Sequence, residues 1–543
     1  MKRILAALLL AIGISTLCPI VNAAPIRPLS ESDLLKLLAG GVYPSRVADL
    51  VEEHGITFAP TEADLSSLRQ AGGGDIVERA VRAAGHLVMQ QELNLPKTRP
   101  HTQAHAHSLH YRTRSPSVPA SLPAKPANNF SPVLEVGGGD IPIGTRINPR
   151  NWREYQRYMP TGMIALFRGS YFWKMPADFE MDIGGTTALK PSRNYRAATE
   201  EYSRQARLVL LPDGHHDIQN YQGGEPFPNP QPPDKGDKLL ADLWFSYIPH
   251  LVAGTSSNPL TICTQTRESY SSCIKLSYVY RQMAYNTDPN VAMDETGSRK
   301  YWYTEWMSIE EPEQLKYTTQ LTLYPKDNQR PIEQSVFIPA LRRWLRVSLT
   351  ARCSPIAGTD YTQDDFKRQG FNGGIGSFDA RFLDHRRILA LAGSYDSVTS
   401  DFPAGYYTTF GWPKPSWGRW QLRDVDVIDV RRIPAEQAGY CYGKRIIYED
   451  SELHYALWED VYDTNLQLWK MGFIAQRTVP ATGLGEVPGA FTSTAWDVKS
   501  GHITNTSTRS SGRRDMLADA DVPGEYQDLN TYSTIAGLAE IMK

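Results

Sequence analysis

The sequence has no excess of charge of either sign and none of the common catalytic motifs. It contains 57 Lys and Arg residues against 59 Asp and Glu residues, for a formal net charge of −2. Binding nucleic acid along the whole chain needs a strongly basic face, so the composition excludes that class. The sequence also lacks a Gly-x-Ser-x-Gly elbow, a His-Glu-x-x-His motif and a Walker loop, which mark hydrolases, metalloproteases and nucleotide-binding enzymes. We therefore predict a non-enzymatic protein without a cofactor.

Long apolar runs are missing after the first segment of the chain. No later stretch reaches the roughly 18 apolar residues that a membrane-spanning helix needs. The first segment has Lys2-Arg3, an apolar run over 4–14 and small residues in 21–23. This order is typical of a signal peptide, here 1–23, and predicts export to the periplasm. Cys18 leaves lipoprotein processing open as an alternative, although the residue before it is larger than that processing prefers.

Cysteine is scarce, and four cysteines remain after the predicted cleavage: Cys263, Cys273, Cys353 and Cys441. An even number in an exported chain predicts two disulfides. Cys263 and Cys273 flank a polar stretch between two strand-like runs, so a hairpin would bring them together. The other pair follows only by elimination, and buried free thiols stay open as an alternative. No Cys-x-x-Cys spacing occurs, so we predict no zinc site of that class.

Residues 24–95 have a helical pattern and form a predicted small helical bundle. Apolar residues recur at i, i+3 and i+4 spacings, and glycines separate the segments. Ser30 and Asp33 resemble a capping box, with Asp in place of the usual Glu. Five basic against nine acidic residues over 30–85 argue against a DNA-binding helix-turn-helix. Docking to another protein is the simplest role for this bundle.

Residues 96–132 are predicted to be a Pro-rich basic linker. They contain seven prolines and five basic residues, and no acidic residue occurs between Glu92 and Glu135. Such a composition cannot bury a core. Four histidines, at 101, 105, 107 and 110, suggest metal binding, but a flexible segment does not preorganise ligands. Peripheral contact with an anionic surface, such as lipid head groups or peptidoglycan, is the alternative use of this charge.

Residues 133–543 are predicted to be one large β-rich region. The chain contains 28 Tyr, 12 Trp and 16 Phe with 41 Gly and 38 Pro, a balance that favours strands joined by turns. The strand-like stretches are 317–324, 334–338, 344–349, 381–392, 421–433, 445–450 and 455–463. A helix is predicted over 239–247. The fold class is therefore mainly β (α+β), with long antiparallel strands in a strongly curved sheet or an open barrel.

Several polar groups are candidates for chemistry. His215-His216-Asp217 follows a Pro-Asp pair, so an exposed turn is favoured over a metal site, and we predict no metal. The pairs Asp364-Asp365 and Glu310-Glu311 have the residue types of acid/base catalysts, but charged loops have the same pattern.

Arg342 and Arg343 interrupt an otherwise apolar strand. Buried arginines need carboxylate partners inside the fold or at its rim, and Asp424 and Asp426 are the candidates.

Strand aromatics are the candidate ligand contacts. Aromatic residues recur in strands whose neighbouring residues are Arg or Asp. The candidates are Phe337, Trp344, Trp420, Tyr448 and Trp458. We expect several of them to line an apolar cavity. A solid sandwich core stays open as the alternative, since large aromatics fill cores equally well.

Four segments together resemble the bacterial domain-of-unknown-function 1329 family. They are Gly-Gly-Glu-Pro-Phe-Pro-Asn-Pro at 223–230, the Arg-Arg strand at 337–346, the turn and strand within 359–382, and the closing strands at 442–469. The resemblance covers roughly residues 135–535, and the motifs are specific in combination rather than singly. It implies a fold like that of the Lol-type lipoprotein carriers, an open antiparallel β-barrel wrapped round an apolar cavity with a helical lid. It also implies a partner among resistance-nodulation-division exporters. The helical bundle, the linker and the cysteines depart from the usual family plan, so the partner can differ too.

Together these features predict a periplasmic carrier or sensor of a lipid, acyl chain or lipoprotein, accessory to an envelope exporter. Association with the outer membrane is compatible with this role. A surface-polysaccharide binder, which predicts exposed coplanar aromatics, and a hydrolase, which needs convergent acid/base groups, are the alternatives.

Overall fold

The structure is a computed structural model of the 543-residue chain. It describes residues 28–93, 141–507 and 517–540, except 40–43, 45–46, 49, 52–54, 72, 269–270, 290, 292–294, 328–329, 348–352, 354, 357–358, 366–370, 373–374 and 393–402. The predicted signal peptide, the predicted linker and its four histidines lie outside the described residues. The described residues belong to two compact units, 28–93 and 141–540.

The unit 28–93 contains helices joined by turns. The helices whose bounds fall within the described residues are α1 (Glu31–Ala39), α2 (Glu62–Gln70) and α3 (Gly74–Leu93). The predicted capping box at α1 is confirmed, because Asp33 N donates to Ser30 Oγ (3.2 Å) and Ser30 N donates to Asp33 Oδ2 (3.0 Å). Thr61 and Asp64 cap α2 in the same way. The buried residues Leu34, Leu38, Val47, Val51, Leu65, Leu68, Val77 and Val81 form the core of this unit.

The unit 141–540 is mainly β, as predicted. Its helices are α4 (Thr161–Arg168), α5 (Arg193–Tyr202), α6 (Lys235–Trp244), α7 (Glu295–Lys300), α8 (Leu529–Ser533) and α9 (Ile535–Glu540). Its strands are β1 (Arg146–Ile147), β2 (Met181–Asp182), β3 (Arg207–Leu210), β4 (His216–Gln219), β5 (Leu251–Gly254), β6 (Leu260–Gln265), β7 (Ser271–Gln282), β8 (Tyr301–Glu311), β9 (Thr319–Pro325), β10 (Glu333–Ile338), β11 (Arg343–Val347), β12 (Phe378–Ala390), β13 (Tyr406–Tyr407), β14 (Trp412–Pro413), β15 (Gln421–Arg432), β16 (Tyr442–Asp450), β17 (Ala456–Asp463), β18 (Leu468–Ala481), β19 (Gly485–Asp497), β20 (His502–Ser507) and β21 (Leu517–Ala518).

Among the described residues, one 15-stranded antiparallel sheet dominates this unit. Its order is β11-β10-β9-β8-β7-β6-β20-β19-β18-β17-β16-β15-β12, and β5 and β21 pair beside β7. Apart from β5 and β21, the sheet consists of two meanders, one of β6 to β11 and one of β12 and β15 to β20, joined where β6 pairs with β20. Within the described residues β11 and β12 remain edges, so the sheet is open rather than closed into a barrel.

The long strands bury side chains on both of their faces. In β15, Val425 and Val427 pack on one face, whereas Ile428 and Val430 pack on the other. The outer cluster joins the first face to α4 and contains Met163, Leu166, Phe167, Phe410, Trp412, Trp420, Val425, Val427, Tyr448, Trp458, Phe473 and Trp496. The interior cluster joins the second face to α6 and contains Leu239, Leu240, Leu243, Trp244, Trp302, Tyr303, Tyr324, Ile428, Val430, Ile447, Val461 and Ile474.

The interior cluster shows which way the sheet curves. Tyr303 of β8 and Ile447 of β16 belong to it, although six other strands lie between β8 and β16 in the sheet. Strands so far apart can share one cluster only if the sheet curls round it. The face that bears the interior cluster is therefore the concave face, and α6 lies in its concavity.

Both predicted disulfides are present. Cys263 and Cys273 are opposite residues of the β6–β7 hairpin, with Cα atoms 4.0 Å apart. Cys353 and Cys441 form the second bond, over a sequence separation of 88 residues. The alternative of free thiols is therefore wrong for this structure.

Candidate functional site in the concave face

Helix α6 fills the concave face with apolar side chains. Leu239, Leu240 and Leu243 are at most 1% exposed. Trp244 lies at the end of the helix, with its ring centroid 5.2 Å from that of Trp302 in β8. The helix therefore contacts both meanders. It lies where the sequence analysis predicts an apolar cavity covered by a helical lid.

The first turn of α6 lies close against the edge strand β12. Gly236 is the point of closest approach, because a Cβ atom there would collide with Ala380 O and Phe382 N. Asp237 Oδ1 accepts a hydrogen bond from Ala380 N (2.6 Å) and so satisfies an edge amide of the sheet. Lys235 Nζ lies 3.2 Å from Asp426 Oδ1 of β15. A backbone contact, an edge hydrogen bond and an ion pair thus hold the start of the helix.

A buried group of four charges, here called the Arg445 cluster, lies on the same concave face. Arg445 bridges Asp365 (Nη2 to Oδ1, 2.5 Å) and Glu459 (Nη1 to Oε2, 2.9 Å). Lys470 Nζ lies 2.7 Å from Asp365 Oδ2. The cluster balances two cations against two carboxylates, which is the arrangement that buried charges require.

The environment shifts the pKa values of the two carboxyl groups of the Arg445 cluster in opposite directions. Burial opposes the charged form of Asp365, but Lys470 and Arg445 lower its pKa well below the usual value. Burial raises the pKa of Glu459 to about 7, against the influence of Arg445. Asp365 is therefore the firmly ionised partner of the two cations.

A cavity of about 50 Å³ adjoins the Arg445 cluster, and its lining includes Tyr361, Gly472, Ser493, Ala495 and Thr504. This volume is close to that of one or two water molecules, while an apolar cavity that admits benzene has about 150 Å³. The cavity is too small for an acyl chain unless neighbouring side chains or α6 move.

A second buried group, here called the His454 cluster, lies where α6 meets the turn between β16 and β17. His454 Nε2 lies 2.9 Å from Glu225 Oε1, and His454 Nδ1 lies 2.7 Å from Glu449 Oε1. Asp242 of α6 completes the cluster, since a carboxylate oxygen of Asp242 lies within 4.8 Å of the ligand atoms of Glu225 and His454.

Burial and hydrogen bonds both shift the pKa values of the His454 cluster. It raises the pKa of Glu449 to about 7 and the pKa of Asp242 well above the usual value. Burial opposes the charged ring of His454, but its bonds to Glu225 and Glu449 raise its pKa well above the usual value.

The structure does not bring the five predicted ligand-binding aromatics together. Trp420, Tyr448 and Trp458 are buried in the outer cluster beneath α4, opposite the concave face. Phe337 and Trp344 are a cross-strand pair of the β10–β11 hairpin, and Trp344 is 42% exposed. A role of these residues in ligand binding stays a prediction.

The expected ion pairs of Arg342 and Arg343 are not formed. Both arginines are exposed, because they lie at the turn and start of the edge strand β11. Asp424 is also exposed, and Asp426 pairs with Lys235. The arginines have no ion-pair partner among the described residues, so the interpretation of a buried arginine strand is wrong.

The other polar candidates have structural partners. His216 is buried rather than in an exposed turn, and its Nε2 lies 3.1 Å from Asp379 Oδ1 and 3.7 Å from Asp237 Oδ1. His215 Nε2 lies 2.8 Å from Glu436 Oε1.

The two acidic pairs lie in different places. Tyr440 OH donates to Asp364 Oδ2 (2.5 Å), next to Asp365 of the Arg445 cluster. Glu310 accepts from Ser277 Oγ (2.6 Å), and Glu311 forms a surface ion pair with Lys275.

Sequence reasoning missed the His454 and Arg445 clusters. Arg445 and Glu449 flank the apolar run 446–448 of β16 and share one face of the strand, and charged residues inside a buried strand are the signal that could have marked them. Asp242 and His454 give no such signal, because their neighbourhood arises only when α6 enters the concave face.

No helix among the described residues has the length and apolar character to span a membrane.

Three solved structures are similar to this chain at low identity. An outer membrane lipoprotein-sorting protein domain from Vibrio parahaemolyticus is 13% identical, covering 55% of this chain and 99% of its own, with a TM-score of 0.36. A DUF1329 family protein from Desulfovibrio piger is 12% identical, covering 56% and 100%, with a TM-score of 0.38. A LolA superfamily protein from Nitrosomonas europaea is 14% identical, covering 53% and 92%, with a TM-score of 0.30.

No curated protein matches the chain significantly. The sequence profile of one family, described as protein of unknown function (DUF1329), matches residues 146–534. This match spans almost the whole β-rich unit and well over half of the chain. The chain therefore belongs to the DUF1329 family.

Proposed function

We propose that the protein is a periplasmic, non-enzymatic carrier or sensor of a molecule that bears an acyl chain, either a lipid or a lipoprotein. The binding surface of this proposal is the concave face beneath α6. In the same proposal the protein serves an envelope exporter, for which the resistance-nodulation-division class is the candidate partner.

The observation that carries the proposal is the burial of α6 in an open sheet. The helix presents Leu239, Leu240 and Leu243 to the interior cluster, so its displacement would uncover the apolar side chains of that cluster, beside the two charge clusters of the concave face. An acyl chain that replaces these side chains gains about 0.8 kcal/mol for each buried methylene. Return of the helix would release the ligand, and neither step needs a nucleophile or a cofactor.

A glycine variant in α6 tests this proposal. Gly236→Ala adds a Cβ atom that collides with β12, and overpacking of this kind typically costs about 1–3 kcal/mol. The closed position of α6 becomes less favourable, so we expect the variant to bind a dansyl-labelled fatty acid about tenfold more tightly than the wild-type protein. Fluorescence titration measures the dissociation constants.

Gly162→Ala is the matched control on the other face of the sheet. Its Cβ atom would collide with Asp460 Oδ1 and Met471 Cβ, so it loosens α4 from the outer cluster. We expect no gain in probe affinity from this variant. Tighter binding by Gly162→Ala alone would indicate that the ligand binds at Trp420, Tyr448 and Trp458 instead. Absence of probe binding in all three proteins would contradict the carrier proposal.

A further inference from the structure

The two charge clusters of the concave face differ in their charge balance. The Arg445 cluster has equal numbers of cations and carboxylates. The His454 cluster has three carboxylates, from Glu225, Asp242 and Glu449, and a single imidazole. Within the described part of the chain none of these carboxylates pairs with Lys or Arg. With all three groups ionised, even a protonated His454 would leave buried negative charge unbalanced, and a further cation is what would allow the buried Asp242 to be ionised.

The imidazole of His454 is oriented as in a metal ligand. Glu449 is fully buried, and its Oε1 lies 2.7 Å from Nδ1 of the ring. A carboxylate at Nδ1 holds a proton on that nitrogen, the usual support of a metal-binding histidine, and an ion that displaced the proton of Nε2 would bind the lone pair there. Nε2 points to Glu225, the other potential ligand.

Asp242 supplies an unused acceptor. Its side chain is fully buried in α6. Its Oδ1 accepts from Phe227 N (2.8 Å), whereas its Oδ2 has no hydrogen-bond partner among the described residues. A buried carboxylate oxygen without a donor is costly, and a cation at the centre of the His454 cluster would satisfy it.

We propose that Glu225, Asp242 and His454 bind a divalent metal ion of the Zn²⁺ class, with Glu449 as the group that orients His454. One imidazole and two carboxylates form a mixed nitrogen and oxygen ligand set, which suits Zn²⁺. Metal–ligand bonds of about 2.0–2.2 Å place ligand atoms roughly 3–4 Å apart. The observed spread of at most 4.8 Å needs only small side-chain shifts.

The ion would connect three separate segments of the chain. Glu225 precedes α6, Asp242 belongs to α6, and His454 lies in the turn after β16. The site is therefore a structural clasp between the helix and the sheet, and this assignment is independent of the ligand that the protein carries.

Metal analysis of the full chain tests the assignment. We expect the purified protein, freed of metal by chelator and dialysed, to bind about one equivalent of Zn²⁺ in isothermal titration and to unfold at a higher temperature once loaded. Asp242→Asn should abolish stoichiometric binding. Glu449→Gln should weaken it by about 10–100-fold, as expected for a group that supports a ligand.

Asp379→Asn is the matched control, since Asp379 lies beside His216 in the other group of histidine and carboxylates near α6. It should bind Zn²⁺ like the wild-type protein. If Asp242→Asn does not fold, Glu225→Gln, at a partly exposed position outside the helix, takes its place. Binding that persists in the Asp242, Glu225 and Glu449 variants, binding lost in Asp379→Asn, or no binding by the wild-type protein would overturn the assignment.

Discussion

At the scale of single residues, the carboxyl group of Asp460 works against folding when it is ionised. It is fully buried and accepts from Trp458 Nε1 (2.8 Å) and Gly162 N (3.1 Å). Burial raises the pKa of Asp460 to about 6 from 3.8, although both donors lower it. The cost of the charge is therefore fully present above pH 6 and disappears as the pH falls toward 3.8.

We expect Asp460→Asn to remove this pH dependence. Each pH unit between the two pKa values is worth about 1.4 kcal/mol. Relative to the variant, the wild-type protein should lose about 1.4 kcal/mol of unfolding free energy between pH 5 and pH 8. Urea unfolding at both pH values measures the difference. Trp458→Phe keeps the carboxyl group of Asp460 and removes a hydrogen-bond donor to it, so this variant should lose more unfolding free energy between pH 5 and pH 8 than the wild-type protein does. Parallel pH profiles of unfolding free energy for all three proteins would refute this account.

The candidate site could be predicted from the sequence only in part. The alternation in β15 separates Val425 and Val427 from Asp426, and the structure keeps that separation. Alternation does not say which face is concave, so the sequence alone does not place Tyr448 and Trp458 in the outer cluster, where the structure has them.

At the scale of elements, the two disulfides close loops of very different length. In the chain-entropy description, a loop of about ten residues contributes about 2–3 kcal/mol and one of about 90 residues contributes about 4–5 kcal/mol. The sequence separations are 10 for Cys263–Cys273 and 88 for Cys353–Cys441. We expect replacement of the second pair by serine to lower the unfolding free energy by about 2 kcal/mol more than replacement of the first.

Chemical unfolding of the two double-serine variants under oxidising conditions measures this difference, and the wild-type protein with reductant is the control that removes both bonds. Equal losses, or a larger loss for the hairpin pair, would mean that the closed loop length does not determine the contribution of each bond.

The strands were predictable as elements, whereas their order in the sheet was not. Residues 421–433 and 455–463 were predicted as strands, and β15 and β17 occupy Gln421–Arg432 and Ala456–Asp463. Turn residues and alternation act locally and are visible in sequence. The pairing of β6 with β20 joins residues about 240 positions apart, and no local pattern encodes it.

At the scale of the whole molecule, we propose the boundaries 24–95 for the helical bundle, 96–132 for the linker and 133–543 for the β domain. Deletion of 24–132 should leave the β domain folded, because its apolar clusters are built from its own residues and a Pro-rich linker adds few contacts. Circular dichroism during heating should show one cooperative transition close to that of the full chain. A broad or absent transition would show that the β domain depends on the deleted residues.

The hairpin disulfide has a consequence for the pairing register near the junction of the two meanders. Strand β6 pairs on one side with β7 and on the other with β20, where Cys263 is opposite Asn505. A slip by one residue would turn Ile262 and its neighbours to the wrong face. The covalent bond at Cys263 excludes that slip within the hairpin, so β6 offers the second meander an edge with one fixed alignment. The Cys263–Cys273 bond thereby fixes the alignment of the hairpin strand to which the second meander pairs.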